Sequence, residues 1–201
     1  YVLPLHDPFS VAKSVSTAAN LCGGRLILGV GIGWQKSEFE LVGQNFHNRG
    51  KRCDEMLEVM QKLWSGNAVS HEGTHYRFPP LQMSPGLVHQ LPIYVGGFAE
   101  AALRRASRQN GWIGGQHSME ELEQLIPALL AHRQASGLPA AGFELCVGLY
   151  DQSEGNIRRC EELGVTGVYR HAFCDENGMA SRMSLDDKLR DMERFAQLHL
   201  I

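Results

Sequence analysis

The sequence predicts a parallel α/β fold. Short apolar runs of strand length alternate with amphipathic helical segments along the whole chain of 201 residues, and the connections between them are short. Several of these runs are apolar throughout, which is typical of strands that are covered on both faces. Strands that alternate with helices form parallel sheets, because each helix carries the chain back to the start of the next strand.

The first elements are a strand end, a helix and a strand. Residues 1–5 are predicted as the end of a strand, because Asp7 and Pro8 stop the apolar run. Pro8 suits the first turn of a helix, and apolar residues then recur at helical spacing as far as Gly23-Gly24, which permits a left-handed C-terminal turn. The apolar run 25–31 is the next strand, buried on both faces.

A helix over residues 49–64 is the clearest element. Its apolar stripe consists of Cys53, Met56, Leu57, Met60, Leu63 and Trp64, and its polar face of Lys51, Arg52, Glu55 and Glu58. An excursion at about 66–91 follows, in which 69–78 forms a hairpin with its turn at Glu72-Gly73-Thr74 and the Pro-rich segment 79–92 is a loop.

The second half of the chain repeats the strand and helix unit. The predicted strands are 92–97, 112–115, 143–150 and 165–170, and the predicted helices are 99–108, one that begins after Ser118, 153–163 and 185–199. Ser118 and Glu121 fit a capping box. Pro127 predicts a kink in the helix that follows, which turns Leu122, Leu125, Ile126, Leu129 and Leu130 inward.

These elements predict one domain over residues 1–201. An open doubly wound sheet and a (β/α)8 barrel both fit six strands that are each followed by a helix, and the pattern slightly favours the barrel. A barrel has eight units and about 250 residues. Two β/α units would therefore be missing, and the absence of an initiator Met places the gap at the front.

Composition excludes several classes of function. A net charge of −3 argues against a nucleic-acid partner. No apolar run approaches the roughly 20 residues of a membrane span, and no secretory signal is visible. Five cysteines without a CxxC pair argue against a disulfide framework and favour a reducing cytoplasm.

A metal site and a serine hydrolase site are also unsupported. His71 and His75 flank the hairpin turn, but no third ligand lies at a convincing spacing, so no metal is predicted. No G-x-S-x-G elbow exists for a hydrolase. His6 and His171 follow strands and are better placed than the other histidines to contact a ligand, although a simple surface role fits them as well.

Glycine pairs at strand ends are the candidate binding features. Gly96-Gly97 leads directly into a helix, whose first N–H groups and dipole favour an anion. Gly114-Gly115 on the next strand would form the other side of the same pocket. Tight turns alone would explain both pairs, so the two interpretations stay open.

The run from Gly29 to Trp34 holds a further glycine cluster. Its Gly29-x-Gly31-x-Gly33 spacing is GxGxG rather than the GxGxxG of a dinucleotide site, and no small-residue helix follows. A Rossmann fold is therefore rejected. Trp34 suits the wall of a pocket for a flat ring, and a partly buried structural role is the alternative.

An ordered series of matches between residue 1 and about residue 115 resembles the luciferase-like monooxygenase family. The series consists of Pro8-x-x-x-Ala12-Lys13, Ala18-x-x-x-x-Gly23-Gly24-Arg25-Leu26-x-Leu28-Gly29-Val30-Gly31-x-Gly33-Trp34, Glu38-Phe39, Phe46-x-x-Arg49-Gly50-x-Arg52-x-Asp54-Glu55, Leu63-Trp64, Tyr76-x-Phe78, Pro92-Ile93-Tyr94-Val95-Gly96-Gly97, Ala102-Leu103-Arg104-Arg105-Ala106 and Gly111-Trp112. The rest of the chain agrees in element order but carries weaker motifs.

The resemblance implies a (β/α)8 TIM barrel of luciferase-like type that binds the deazaflavin F420, or alternatively FMN, usually as a homodimer. It implies that the cofactor ring lies against Gly31, Gly33 and Trp34. It also implies that the strand ends at Gly96, Gly97 and Phe98, and at Gly114 and Gly115, hold the cofactor phosphate. The glycine-rich segments 29–34 and 95–97 are similar to those of the F420-dependent branch of the family. The family's first two β/α units would lie upstream of Tyr1, so no catalytic residue is assigned.

Three functions follow as alternatives. The first is F420-dependent hydride transfer to or from a small organic substrate. The second is an FMN-dependent monooxygenase of the same fold. The third is a non-enzymatic, cofactor-free barrel subunit. The first two share every motif above, and only the cofactor separates them.

Overall fold

The computed structural model describes residues 1–169 and 183–199, which fall into two compact units. The first unit consists of residues 1–113 and 128–144, and the second of 114–127 with the described residues from 145 onward. The prediction of one domain over residues 1–201 stays a prediction.

Helices and short strands alternate in the first unit. A 3-10 helix at Leu3–Leu5 precedes α1 (Pro8–Leu21), β1 (Leu28–Val30), α2 (Lys36–Leu41), α3 (Arg49–Trp64), β2 (Ala68–Glu72), β3 (Arg77–Gln82), β4 (Ile93–Gly96), α4 (Glu100–Ala106), the start of β5 (Gly111–His117) and the end of α5 (Met119–Ala135). The predicted helix 99–108 and strand 92–97 are confirmed with slightly shorter bounds.

A parallel sheet forms the centre of this unit, with β4 between β1 and β5. Val30 lies opposite Val95, and Val95 opposite Trp112. These three side chains are buried, so the sheet is covered as the apolar runs predicted. The predicted strand 25–31 is reduced to three residues, and Ile27 before it is exposed.

The opening segment differs from its prediction. Only Val2 forms a parallel bridge, with Gly31, and Leu3 already begins the 3-10 helix. The backbone N–H of Gly31 donates to Tyr1 O at 2.8 Å, and that of Leu3 to Gly31 O at 3.0 Å. Pro4 ends the ladder because it has no N–H to donate and because its φ suits the first turn of a helix.

The first helix, α1, begins and ends as predicted. The Asp7 carboxylate accepts a hydrogen bond from the backbone N–H of Ser10 at 2.9 Å and so caps the helix in front of Pro8. At the other end Gly23 has a φ of +62° and Gly24 of +78°. Both glycines lie in the left-handed region that closes a helix.

The bounds of α3 equal the predicted 49–64, and every residue of its predicted apolar stripe is buried. The prediction that Arg52 belongs to the polar face is wrong, because its side chain is buried. Its Nη2 donates to Pro4 O at 2.6 Å and its Nη1 to Asn48 Oδ1 at 3.0 Å. Backbone and amide acceptors thus compensate the burial of the guanidinium.

The predicted hairpin is confirmed as the antiparallel pair of β2 and β3. β3 continues to Gln82 through Pro79 and Pro80, where a loop was expected. A sheet of two strands has only edge strands, and proline is tolerated there. The helix α2 had no counterpart in the sequence prediction.

The second unit contains the rest of β5, the start of α5, β6 (Glu144–Leu149), α6 (Glu154–Glu162), β7 (Gly167–Tyr169) and α7 (Leu185–His199). The first residue of β6, Glu144, is the last residue of the first unit. The strands of the second unit are parallel in the order β5, β6, β7, and Val147 lies opposite Val168. The last predicted strand reached Arg170, which with His171 lies outside the described residues. A parallel α/β architecture is therefore confirmed.

The N-terminus of α5 is closed by the predicted capping box. The backbone N–H of Ser118 donates to Glu121 Oε2 at 3.0 Å, and that of Glu121 to Ser118 Oγ at 3.3 Å. β5 extends to His117 rather than Gly115, so the strand leads almost directly into the cap. α5 continues across Pro127, and the kink stays a prediction.

A carboxylate of α3 holds the β2–β3 hairpin. Glu55 accepts hydrogen bonds from the backbone N–H groups of Tyr76 at 2.7 Å and His75 at 2.9 Å, and its Oε1 lies 3.2 Å from His71 Nε2. A Cβ on Gly73 would collide with this carboxylate, so glycine is required in the turn. Burial raises the pKa of Glu55, but these hydrogen bonds lower it to a net value below the ordinary 4.5.

We expect Glu55→Gln to lower the free energy of unfolding by about 1–3 kcal/mol at neutral pH, because a charged acceptor of buried N–H groups is lost. Since the folded pKa of Glu55 is depressed, this contribution is present above pH 4.5 and is lost as the pH falls through the folded pKa. Urea denaturation at several pH values measures it. Glu58→Gln, on the exposed side of α3, is the control, and an equal effect of both variants would contradict the role of Glu55.

Candidate functional site

The carboxyl ends of β1 and β4 lie level with each other. Because Val30 pairs with Val95, Gly31 and Gly96 are the next residues at the same edge of the sheet. A Cβ on Gly31 would meet no atom within 4 Å, and one on Gly96 would come no closer than 3.6 Å to Val30 O. Gly31 therefore faces open space, whereas a Cβ on Gly96 would make ordinary contacts with backbone oxygens of the neighbouring strands.

Gly33 and Gly97 are required by the backbone. Their φ angles are +77° and +111°, which side-chain-bearing residues rarely adopt. A Cβ on Gly33 would lie 2.7 Å from Val2 Cγ1, and one on Gly97 would lie 3.0 Å from the Cβ of Ala102. The tight-turn interpretation thus fits Gly97, and Gly33 has the same backbone requirement. Both conformations are compatible with a ligand that approaches the backbone.

An aromatic side chain follows each of the two strand ends. Trp34 is 83% exposed and Phe98 is 64% exposed. The alternative of a partly buried structural Trp34 is therefore wrong. A flat apolar ring is the kind of ligand that exposed aromatic side chains bind well.

A basic cleft of about 660 Å³ opens beside the same strand ends, between the start of α3 and α4. Ile32, between Gly31 and Gly33, forms one part of its wall, and Glu100 and Ala101 form another. The cleft is lined by five side-chain cations and two carboxylates, namely Arg49, Lys51, Arg104, Arg105 and Arg108 with Asp54 and Glu100. This excess of positive charge contrasts with the net charge of −3 on the whole chain.

The N-terminus of α3 adds to the positive field. Asn48 makes no side-chain cap, because its Oδ1 accepts from Arg52, and the first turn holds no acidic residue. Arg49 and Lys51 instead place cations at the positive end of a helix of 16 residues. Charges of this sign are unfavourable there, so a bound anion would stabilise the helix start.

Arg105 lies buried in the wall of the cleft. Its Nε and Nη2 bind the Asp54 carboxylate, and Nη2 also donates to Gly50 O at 3.1 Å. Burial lowers the pKa of Arg105, but Asp54 raises it to a net value above the ordinary one. Its Nη1 is buried without a hydrogen-bond partner among the described residues. Such a donor in a basic cleft is consistent with an anionic ligand.

Arg49 connects the cleft to the glycine segment. Its Nε donates to Gly33 O at 3.0 Å and its Nη1 to Phe46 O at 3.0 Å, while the guanidinium lies 3.8 Å from the centre of the Phe46 ring. The residues after β1 are thus held against the start of α3. Sequence reasoning assigned no role to these cations, although three basic residues in the first turn of a helix without an acidic one indicate an anion site.

The start of α4 favours an anion less than was expected. Ala99 provides no side-chain cap, but the helix has only seven residues and Glu100 in its first turn. Hydrogen bonds from His132 and Arg104 lower the pKa of Glu100, so this carboxylate is charged. The cleft cations and the start of α3 therefore favour an anion more than the dipole of α4 does.

Gly114 and Gly115 belong to the second unit. The Tyr169 hydroxyl donates to Gly114 O, and Gly115 is exposed. That these glycines share a pocket with Gly96 and Gly97 stays a prediction. His6 is exposed and makes an edge contact with the ring of Tyr1 at 4.8 Å, and His171 lies outside the described residues.

Within the described part of the chain, no three side chains of His, Cys, Asp or Glu are grouped to hold a metal ion. His71 is instead hydrogen-bonded to Glu55 and lies 3.0 Å from Lys62 Nζ. None of the described helices is long and apolar enough to cross a membrane.

A parallel α/β unit with a glycine-lined, aromatic and basic edge defines a candidate binding site for a flat ring that carries an anionic group. Comparison with known proteins identifies the family to which the chain belongs. The model of the luciferase-like monooxygenase family matches residues 1–156, and the chain belongs to this family. This match confirms the predicted family, and the likeness to a solved structure confirms the luciferase-like fold.

The similar proteins include an uncharacterized protein, an F420-dependent dehydrogenase and a monooxygenase. An uncharacterized protein of Mycobacterium tuberculosis is 35% identical over 196 residues, which cover 97% of this chain and 68% of that protein. The F420-dependent glucose-6-phosphate dehydrogenase of Segniliparus rotundus is 28% identical over 87% of this chain and 56% of its own length. The crystal structure of a monooxygenase from Streptomyces bottropensis has a TM-score of 0.79 and 17% identity, covering 98% of this chain and 75% of that one.

We expect Gly33→Ala to lower the free energy of unfolding by about 1–3 kcal/mol, because alanine is strained at a φ of +77° and its Cβ would press on Val2. Gly31→Ala is the matched control, since its Cβ would enter open space and the unfolded state changes equally. Thermal and urea denaturation measure both variants. Equal destabilisation by the two substitutions would show that the conformation at Gly33 is not the constraint.

Proposed function

We propose that the chain forms the cofactor-binding part of an F420-dependent oxidoreductase, which transfers a hydride between the deazaflavin and a small organic substrate. The basic cleft beside the ends of β1 and β4 is the observation that carries this proposal. Its cations suit an anionic group, and Ile32 in its wall lies between Gly31 and Gly33, which the family resemblance assigns to the cofactor ring. Redox chemistry is supplied by the cofactor, and the protein binds and orients it.

The residues present fit such a cofactor. The ring would lie against Gly31, Gly33 and Trp34, because Gly31 faces open space and the Trp34 side chain is exposed. Gly96, Gly97 and Phe98 would lie along the cofactor towards its phosphate. Gly114 and Gly115 are proposed from the resemblance alone as further cofactor contacts.

The phosphate would lie in the cleft, where Arg49, Lys51 and the start of α3 provide positive charge. Arg105 adds a buried guanidinium whose Nη1 has no partner among the described residues. Charge-assisted hydrogen bonds from such groups to phosphate oxygens are about twice as strong as neutral ones. Binding energy gained at the phosphate holds the ring in place at the strand ends.

We favour F420 over FMN because five side-chain cations line the cleft, which suits a ligand with more than one anionic group. Arg104 on α4 and Arg108, two residues beyond its end, add further cations to the cleft. F420 carries carboxylates beyond its phosphate, whereas FMN ends at the phosphate. The relative from Segniliparus rotundus is named as F420-dependent, which supports the same choice.

An FMN-dependent monooxygenase is the second candidate. The similarity to a monooxygenase structure from Streptomyces bottropensis is a likeness of fold, which both candidates share. A cofactor-free barrel subunit, the third alternative, would leave the uncapped, cationic start of α3 without a stabilising partner. A small-molecule substrate and a homodimeric assembly are part of the proposal, and no catalytic residue is assigned.

We expect the full-length protein to bind F420 more tightly than FMN in a fluorescence titration. Arg108→Ala should weaken F420 binding about twofold to fivefold, because one exposed cation of the cleft contributes roughly 1 kcal/mol or less to holding an anion. The loss should shrink as salt is added.

Arg158→Ala is the matched control, since Arg158 is an exposed helical arginine that lies outside the cleft. Equal affinity of the two variants would contradict the assignment of the cleft. Tighter binding of FMN would move the protein to the monooxygenase branch. Failure of both cofactors to bind would overturn the proposed function.

A further inference from the structure

The two carboxylates of the basic cleft are engaged differently. Asp54 binds Arg105 with both of its oxygens. Glu100 uses only one oxygen, because its Oε1 lies 2.8 Å from Nε2 of His132 and also accepts a hydrogen bond from Nη2 of Arg104 at 3.1 Å. Among the described residues, none donates a hydrogen bond to Oε2 of Glu100. One carboxylate oxygen in the lining of the cleft is therefore available to a ligand.

Glu100 is also held in place and charged. His132 belongs to the part of α5 that lies in the first unit, so its contact with Glu100 is made within that unit. The hydrogen bond from His132, and then that from Arg104, lower the pKa of Glu100 below its ordinary value. An ionised carboxylate can only accept hydrogen bonds. Because the Glu100 side chain is 60% exposed, a donor group of a ligand in the cleft can reach Oε2.

A fixed negative charge among cations makes the cleft selective. The five cations attract any small anion. An anion without a hydrogen to donate, such as sulfate, is repelled by Glu100 and gains no contact from it. A ligand that carries an N–H or O–H group beside its anionic group offsets this repulsion, because it can donate to Oε2. Specificity is the difference between these two affinities.

We propose that Glu100 is a specificity-determining residue, which accepts a hydrogen bond from an N–H or O–H group beside the anionic group of the ligand. This inference rests on the proposed function and adds to it the residue that separates the cofactor from bare anions. The donor is either an amide N–H beside the carboxylates of F420 or a ribityl hydroxyl, which F420 and FMN share.

Binding of three ligands to the full-length protein tests the role of Glu100. F420 and FMN are titrated by fluorescence, and sulfate is measured by its competition with the cofactor at constant ionic strength. Glu100→Ala should tighten sulfate binding about twofold to fivefold, because the repulsion by one exposed charge is removed. The preference for F420 over sulfate should fall about threefold to tenfold, the range expected for one lost hydrogen bond.

A second variant separates the charge of Glu100 from its acceptor. Glu100→Gln removes the charge but retains a carbonyl oxygen, so sulfate binding should tighten as in Glu100→Ala while the preference for F420 falls less. The two cofactors distinguish the donors. A loss of preference for F420 alone identifies the amide N–H, and an equal loss for F420 and FMN identifies the ribityl hydroxyl.

Glu154→Ala is the matched control. Glu154 also lies in the first turn of a helix and pairs with an arginine four residues later, Arg158, but it lies outside the cleft. We expect this substitution to change neither sulfate binding nor the preference for F420.

Two results would overturn the inference. One is an unchanged preference for both cofactors over sulfate in Glu100→Ala, which would leave Glu100 with a charge effect alone. The other is sulfate binding that Glu100→Ala does not alter. If neither cofactor binds to the protein without substitutions, the proposed function is rejected and this inference with it, so the two failures are distinguishable.

Discussion

The register between β1 and β4 determines what the first unit can bind. Val30 and Val95 pair in the buried centre of the sheet, so strands β1 and β4 end at the same edge of the sheet and at the same level. A slip of one residue would turn each buried side chain to the other face, which the burial of both valines resists. The strand-end glycines, the exposed aromatic residues and the mouth of the basic cleft lie at one edge of the sheet because of this alignment.

Helix α3 has opposed properties at its two ends. Its later turns are held by a buried apolar stripe that ends at Trp64, whose Nε1 donates to Ala12 O at 2.9 Å. Its first turn concentrates cations without a cap. The buried apolar stripe stabilises the helix enough to offset the unfavourable cations in its first turn. Folds can maintain such a locally unfavourable site when the surrounding structure supplies the stability.

Periodicity was sufficient to predict the long elements. The bounds of α3, the capping box at Ser118 and the glycine ends of α1 agree with the structure because each depends on contacts within a few residues. The predictions for the opening segment and for Arg52 were wrong, because each is decided by a partner distant in the chain. β3 was predicted too short, because Pro79 and Pro80 indicated a loop although an edge strand tolerates them. Pro4 O, which receives the Arg52 guanidinium, is 48 residues away.

The candidate site was predicted in part for the same reason. Strand-end glycines are visible in a sequence, so Gly33 and Gly97 were identified before their φ angles were known. The cleft is assembled from residues of α3 and α4 that are more than fifty positions apart, such as Asp54 and Arg105, and no local pattern connects them. Only the uncapped basic turn at Arg49 could have been recognised in advance.

The uncapped start of α3 has a consequence for how the protein behaves in solution. Its helix lacks the acceptor that a side chain would ordinarily provide, and a dissolved anion can take that place. Stability then depends on the composition of the solvent as well as on the chain. An anion of the purification buffer can then accept the N–H groups that Asn48 leaves without a side-chain cap.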